Sequence, residues 1–371
     1  MTTLGDARYA VAISPQYQDL ANGAMDGRIV LVSDSGALKQ LRTQGMHTAK
    51  LAWTDAGLAF SDQGRDVVVG DSLAATPRAE RRLAQTVLTE LGDGWFLSLF
   101  NVGFVESGYA NAVTVFNGRT SASMDLGGLV DVVAPCGETV YLVTHEPSAT
   151  QTASGFPYTL TAVTGAQGRP RAEIVARADA DFQFAVGHGH AVCLNGDVVY
   201  LHAQEGNLAP DDGHPPSGDP GLVPRQAYLT RWSTRDGALS TRPLIDERGK
   251  PLAIGADALF RAQYAGETVV GETLTWVSGD GVVRRTDLGT LRTQILTQGL
   301  PAGAPIASVY HFTDQDAWVL APLGDPGRQV ELIRYRLGDW SVASRLPIPG
   351  LAGLQSTTTI IRDLAVRPRT A

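Results

Sequence analysis

The chain has 371 residues, enough for two or three ordinary domains unless a repeat closes the whole of it into one ring. Its net charge is −8, with 27 Arg against 3 Lys, an arginine bias that fits a GC-rich bacterial genome. The acidic balance argues against a nucleic-acid partner, since phosphate binding wants a basic face. No run approaches the roughly 18 apolar residues that span a bilayer.

In chain order, the first segments are short apolar runs ended by Gly or Asp turns, the pattern of many short strands. "YAVAISP", "GRIVLVSDSG" and "ALKQLR" supply three strands at the N-terminus. A compact unit follows: "TAKLAWTDA", "GLAFSDQG", "RDVVVGDS" and the basic cluster "RAERRLA" at 78–84, read as a solvated outer strand. The third unit is "TVLTELGDG", "WFLSLFN", "ANAVTVFNG" and "RTSASMDL". The fourth is "LVDVVAPCGE", "TVYLVTHE", "YTLTAVTGAQG" and "RPRAEIVAR". In the fifth, "NGDVVYLH" lines up with "CGETVYLV" of the fourth. The sixth, around "LTWVSGDG", is less regular, and the seventh runs from "IASVYHFTDQ" to "WSVASRLPI". One strand is left over at 357–368, "TTTIIRDLAVRP".

Self-similarity at this spacing is the mark of a repeat architecture. We read an all-β, seven-bladed β-propeller of four-stranded antiparallel blades, a single domain over 1–371. Three N-terminal strands and one C-terminal strand complete the first blade, closing the ring and leaving no open sheet edge. The repeat resembles the broad seven-bladed superfamily, in the style of the quinoprotein-like and lactonase-like propellers. It lacks the Trp-Asp and Gly-His signatures of tryptophan–aspartate repeats, so the resemblance is one of architecture and implies no specific family.

Long insertions at 16–27, 101–111, 146–157, 205–225 and 323–329 all fall between the second and third strands of a unit. In a propeller these loops share a face with the blade-to-blade connections, while the opposite face carries tight turns. Variable loops on a rigid scaffold tend to carry function. The longest loop is rich in Pro, Gly and Asp and holds His214.

The stretch "AVGHGHAVCLNG" at 185–196 places His188 and His190 two apart, on one face of an innermost strand, near the elaborated mouth of the channel. Alignment of the repeats sets His190 at the level of Asp131 of the preceding blade. Two such histidines suit a metal, which needs at least one further ligand; His311, His47, Asp131 and Asp363 are the candidates. No cofactor is expected, with a metal at the channel mouth as the alternative. His145 and His202 end apolar strands and read as strand-end polar residues. Cys136 and Cys193 end innermost strands of adjacent blades, which ordinarily stand too far apart for a disulfide, and read as buried free thiols.

No nucleophile elbow, zinc-protease helix, phosphate loop or EF-hand loop is present. The expectation is a non-enzymatic binding propeller, exported or surface-anchored, taking a small molecule, polysaccharide or protein on the elaborated face. The candidate ligand-binding residues are His188, His190, Asp131, His311, Asp363 and His214. The alternative is a hydrolase or lyase with its site at the channel mouth.

Overall fold

The computed structural model describes residues 3–16, 19–20, 25–147, 152, 154–165, 168–180, 184–185, 189–204, 224–255, 258–259, 261–301, 309–323, 329–356 and 359–368. Seven antiparallel sheets follow one another around a ring. Blade 1 is built from Thr359–Val366 innermost, then Ala7–Pro15, Asp26–Ser33 and Leu38–Gln44. The closing strand pairs Val366 with Tyr9, Asp363 with Ala12 and Thr359 with Pro15, and the register slips by one residue at Arg362. Arg362 reaches across to the carbonyl of Pro15 at 2.7 Å.

Blade 2 runs Leu51–Thr54, Gly57–Ser61, Arg65–Val69 and Leu73–Pro77. Its outer strand is therefore Leu73–Pro77, and the basic cluster, up to where Ala84 starts the first strand of blade 3, is the connection between the blades rather than a strand. Arg78 is not solvated. Its guanidinium is buried against Asp66, donates to the carbonyl of Asp62 and lies 4.6 Å over the Phe100 ring of blade 3. Burial raises the pKa of Asp66 and lowers that of Arg78, so each charge depends on the other to stay in place.

Blade 3 consists of Ala84–Gly92, Trp95–Val105, Gly108–Phe116 and Ser121–Gly127. The expected loop at 101–111 is instead a continuation of the hairpin, with Phe104 paired to Tyr109 and Val105 to Gly108. A bulge at Val102, next to Gly103 with φ +89°, re-aims the arms past the rest of the sheet.

Blade 4 holds Leu129–Cys136, Thr139–His145, Phe156–Thr164 and Arg171–Ala180. In blade 5 the inner strand is broken into Phe184–Ala185, Gly189–His190 and Val192–Leu194, ahead of Asp197–Gln204, Pro224–Ser233 and Leu239–Pro243. Blade 6 has an inner strand of only Val269–Val270, followed by Thr273–Val277, Val283–Asp287 and Thr293–Thr297, which matches its irregular sequence. Blade 7 runs Val309–Phe312, Asp316–Leu323, Gln329–Arg336 and Val342–Pro347.

The core is distributed around the ring. Among the described residues, seven apolar clusters fill the seven seams between blades, for example Leu97, Leu99, Val113, Val133 and Leu142 between blades 3 and 4. Second and third strands are sandwiched on both faces, which explains near-continuous apolar runs such as Ile29–Val30–Leu31–Val32, whereas outer strands such as Leu73–Pro77 alternate.

Cys136 and Cys193 form a disulfide with Cα atoms 5.7 Å apart, which corrects the reading of two free, buried thiols. Cys193 is exposed and Cys136 half-buried. The two inner strands come together because Gly189–His190 hydrogen-bonds in parallel beside Val132–Val133, and Ala191 N–H donates to the Val133 carbonyl at 3.1 Å. Direct pairing between neighbouring blades brings the strand ends closer than the separation assumed for a propeller channel.

Candidate functional site

Each described connection between second and third strands leaves from the same face as the blade-to-blade connections, as antiparallel order requires. On this face the seam between blades 3 and 4 opens. Lower down it is filled by Val140, Leu142 and Val163. Toward the elaborated face the same strand positions carry Thr144, Thr161 and Thr159. Positions two apart share a face, so a sequence change from Val and Leu to Thr turns a packed seam into an open one with a hydroxyl floor. The result is a groove of about 830 Å³. Ile174 and Arg177, paired opposite Thr161 and Thr159, form its outer wall.

The blade 3–4 connection forms the other wall through Gly127 and Gly128. Gly128 has φ +87°, and a Cβ there would stand 3.2 Å from the His145 carbonyl. Only glycine lets this connection pass so close to the neighbouring strand. Asn111 Nδ2 holds it from the hairpin side by donating to the Gly128 carbonyl at 2.6 Å.

His145 borders the groove with its carbonyl at the Gly128 wall, while its side chain, one position on from Thr144, leaves the opposite face of blade 4 into the seam with blade 5. Its Nδ1 is 2.5 Å from Asp131 Oδ2, with both side chains about one-tenth exposed or less, and its ring stands 5.6 Å from Tyr158. With the carboxylate ionised, Nδ1–H donates to Asp131, which fixes the ring orientation. His145 ends its strand, as the sequence reading has it, and Asp131 is the partner that reading did not name. The signal was Asp131 and His145 at the start and end of paired strands, with Leu129 opposite His145 in register. A slip of register between Val130 and Val132 frees Asp131 to swing toward that end.

The other candidates are dispersed. His190 runs beside Val133, further along the inner strand than Asp131. His188 and His214 lie outside the described residues, as does most of the 205–225 loop. His311 and Asp363 belong to the inner strands of blades 7 and 1, across the ring from blade 4. His311 hydrogen-bonds the backbone of Leu364, and its surroundings push its pKa down to about 4. Asp363 accepts from Leu51 N–H at 2.8 Å, and burial raises its pKa. Both tie inner strands of adjacent blades together. His47 sits in the connection between blades 1 and 2, where its N–H donates to Leu83. Among the described residues no three His, Cys, Asp or Glu side chains converge.

A second groove, of about 860 Å³, opens on the opposite face between blades 6 and 7. Arg334 and Asp316 border it, but their side chains meet at 2.5 Å beside Trp318, on the face of blade 7 that packs against blade 1. That arrangement braces the seam between blades 7 and 1.

Ring, blade order and site define a seven-bladed β-propeller with a polar groove on its elaborated face. The description of the YycP β-propeller domain matches residues 2–202. The chain belongs to that family. Among solved structures, a point variant of the Synechocystis apocarotenoid oxygenase superposes with a TM-score of 0.51 at 10% identity, covering 94% of this chain and 91% of that one. A hypothetical selenium-binding protein from Sulfolobus tokodaii does so at 0.51 and 8%, covering 97% and 93%. At such identities the likeness is one of fold. No curated protein sequence matches the chain.

Proposed function

We propose that this protein is a binding propeller acting outside the reducing cytoplasm, with its ligand site in the blade 3–4 groove. The observation that carries this reading is the seam that opens, on the elaborated face, onto a hydroxyl floor. Concave sites of a few hundred Å³ with a few convergent polar groups are the usual form of ligand sites. The Cys136–Cys193 disulfide supports an oxidising compartment. The reading needs no cofactor.

Its test is a ligand-observed NMR fragment screen on the protein and on Thr161→Trp, which fills the groove floor. Hits that disappear in the variant, at unchanged melting temperature, support the site. Hits that bind both proteins equally overturn it.

A second reading, a hydrolase or lyase, is favoured by one contact. A histidine held by a buried carboxylate, near the elaborated end of the blade 4–5 seam, is equipped to move a proton. Turnover of a broad ester and glycoside panel that is abolished by His145→Gln and retained by Thr161→Ala would favour the enzyme over the binder.

A further inference from the structure

The rim of the blade 3–4 groove carries an aromatic pair that its floor does not explain. Phe104 is 74% exposed, on the extended hairpin of blade 3. Its ring meets Tyr109 edge-on, with centroids 5.0 Å apart. The hydroxyl of Tyr109 donates to Asn101 Oδ1 at 2.9 Å, which holds the pair upright. Tyr109 and Asn111 lie two apart on one strand, and Asn111 reaches Gly128 of the groove wall. The aromatic pair therefore faces blade 4, above the groove. Glu146, on the opposite lip, comes under the hairpin turn, 3.4 Å from where a Cβ on Gly108 would lie.

We propose that this groove binds a neutral oligosaccharide chain, with Phe104 and Tyr109 as the stacking platform and Thr159, Thr161 and Arg177 as hydroxyl partners. The inference rests on the reading of the groove as the ligand site and names the ligand's class. A pyranose ring offers an apolar C–H face and a polar hydroxyl edge. The groove offers the matching pair, an exposed aromatic rim above a floor of threonine hydroxyls. A wholly apolar ligand would leave those hydroxyls desolvated without partners. An anionic ligand would meet Glu146 and Asp179 on the lips, in a chain of net charge −8. The groove follows the seam as an open trough, which suits a linear chain rather than a compact molecule.

The test titrates the intact protein calorimetrically with four linear neutral hexasaccharides: cellohexaose, xylohexaose, maltohexaose and N-acetylchitohexaose. Binding of at least one is expected, weakened about tenfold or more by Phe104→Ala and by Arg177→Ala at unchanged melting temperature. Binding of none at millimolar concentration, or equal binding by Phe104→Ala, overturns the sugar assignment. The fragment screen reports separately on the groove. Sugars that fail while fragments still depend on Thr161 remove the ligand class and keep the site. Sugars and fragments that both ignore Thr161→Trp remove both.

Discussion

His202 shows how a polar residue in a seam constrains the molecule. It is wholly buried, its Nε2 is 2.7 Å from Thr230 Oγ1, and its ring stacks on Tyr228 at 5.6 Å. Burial pushes its pKa from the usual 6.5 down to about 3. The folded protein therefore keeps His202 neutral while the unfolded chain takes up a proton below about pH 6.5. Above that pH the group is neutral in both states and adds no pH dependence. Between pH 6.5 and 3 the unfolded state binds more protons, so stability falls as the pH falls. At pH 5 the loss is about 2 kcal/mol from this residue. His311, with a pKa near 4, adds a loss of the same sign. Replacement of His202 by Gln keeps a hydrogen-bonding group and removes the titration. Urea unfolding at pH 8 and pH 5 should show the gap between the two pH values shrinking by about 2 kcal/mol in the variant. An unchanged gap would show that His202 is already charged in the folded protein.

Among the elements, the closing strand Thr359–Val366 has the largest leverage. It buries Ile360, Ile361, Leu364 and Ala365 and supplies the innermost strand of the blade that the N-terminus begins. Asp363 and His311 extend its ties to blades 2 and 7. Repeat folds gain stability from neighbour interfaces, and an unclosed ring loses two of them at once. Deletion from residue 357 onward should abolish the cooperative thermal transition seen by circular dichroism; a truncated chain that melts like its parent would refute closure by this strand. The blade 3 hairpin is the contrasting element. Its tip projects Phe104 and Val105 into solvent rather than into a seam. Its shape serves the rim of the groove, and its removal should cost binding more than stability.

At the scale of the whole molecule, the ring is held seam by seam, and the seams differ. The blade 4–5 seam is reinforced by direct pairing of inner strands and by the Cys136–Cys193 disulfide, which closes a loop with a sequence separation of 57 residues. A loop of that length restricts the unfolded chain by about 4 kcal/mol in the chain-entropy view. Cys136→Ser with Cys193→Ser should lower unfolding stability by about 2–4 kcal/mol. The same shift should follow when the parent is reduced with dithiothreitol, and thiol titration should find no reactive cysteine before reduction. A variant as stable as the parent would mean that inner-strand pairing alone holds this seam. The neighbouring blade 3–4 seam is packed in its lower half and open above.

Blade number, strand order and ring closure are legible in the sequence because they follow from local chemistry. Apolar runs, Gly and Asp turns and a spare C-terminal strand each depend on a few neighbouring residues. The elaborated face follows from loop placement alone. The hairpin at 101–111 was not legible as strand, because Asn101, Gly103 and Gly108 interrupt the apolar pattern that the paired arms nevertheless sustain. The disulfide, the buried Arg78–Asp66 pair and the Asp131–His145 contact were decided by tertiary structure. Each joins residues whose meeting depends on how two blades or two strands are set against each other, through a bulge, a register slip or an inter-blade hydrogen bond. The groove belongs to the same class. A change from Val163 to Thr161 and Thr159 along one strand is visible in the chain, but whether it faces solvent or a neighbour is settled only when the adjacent blade is in place.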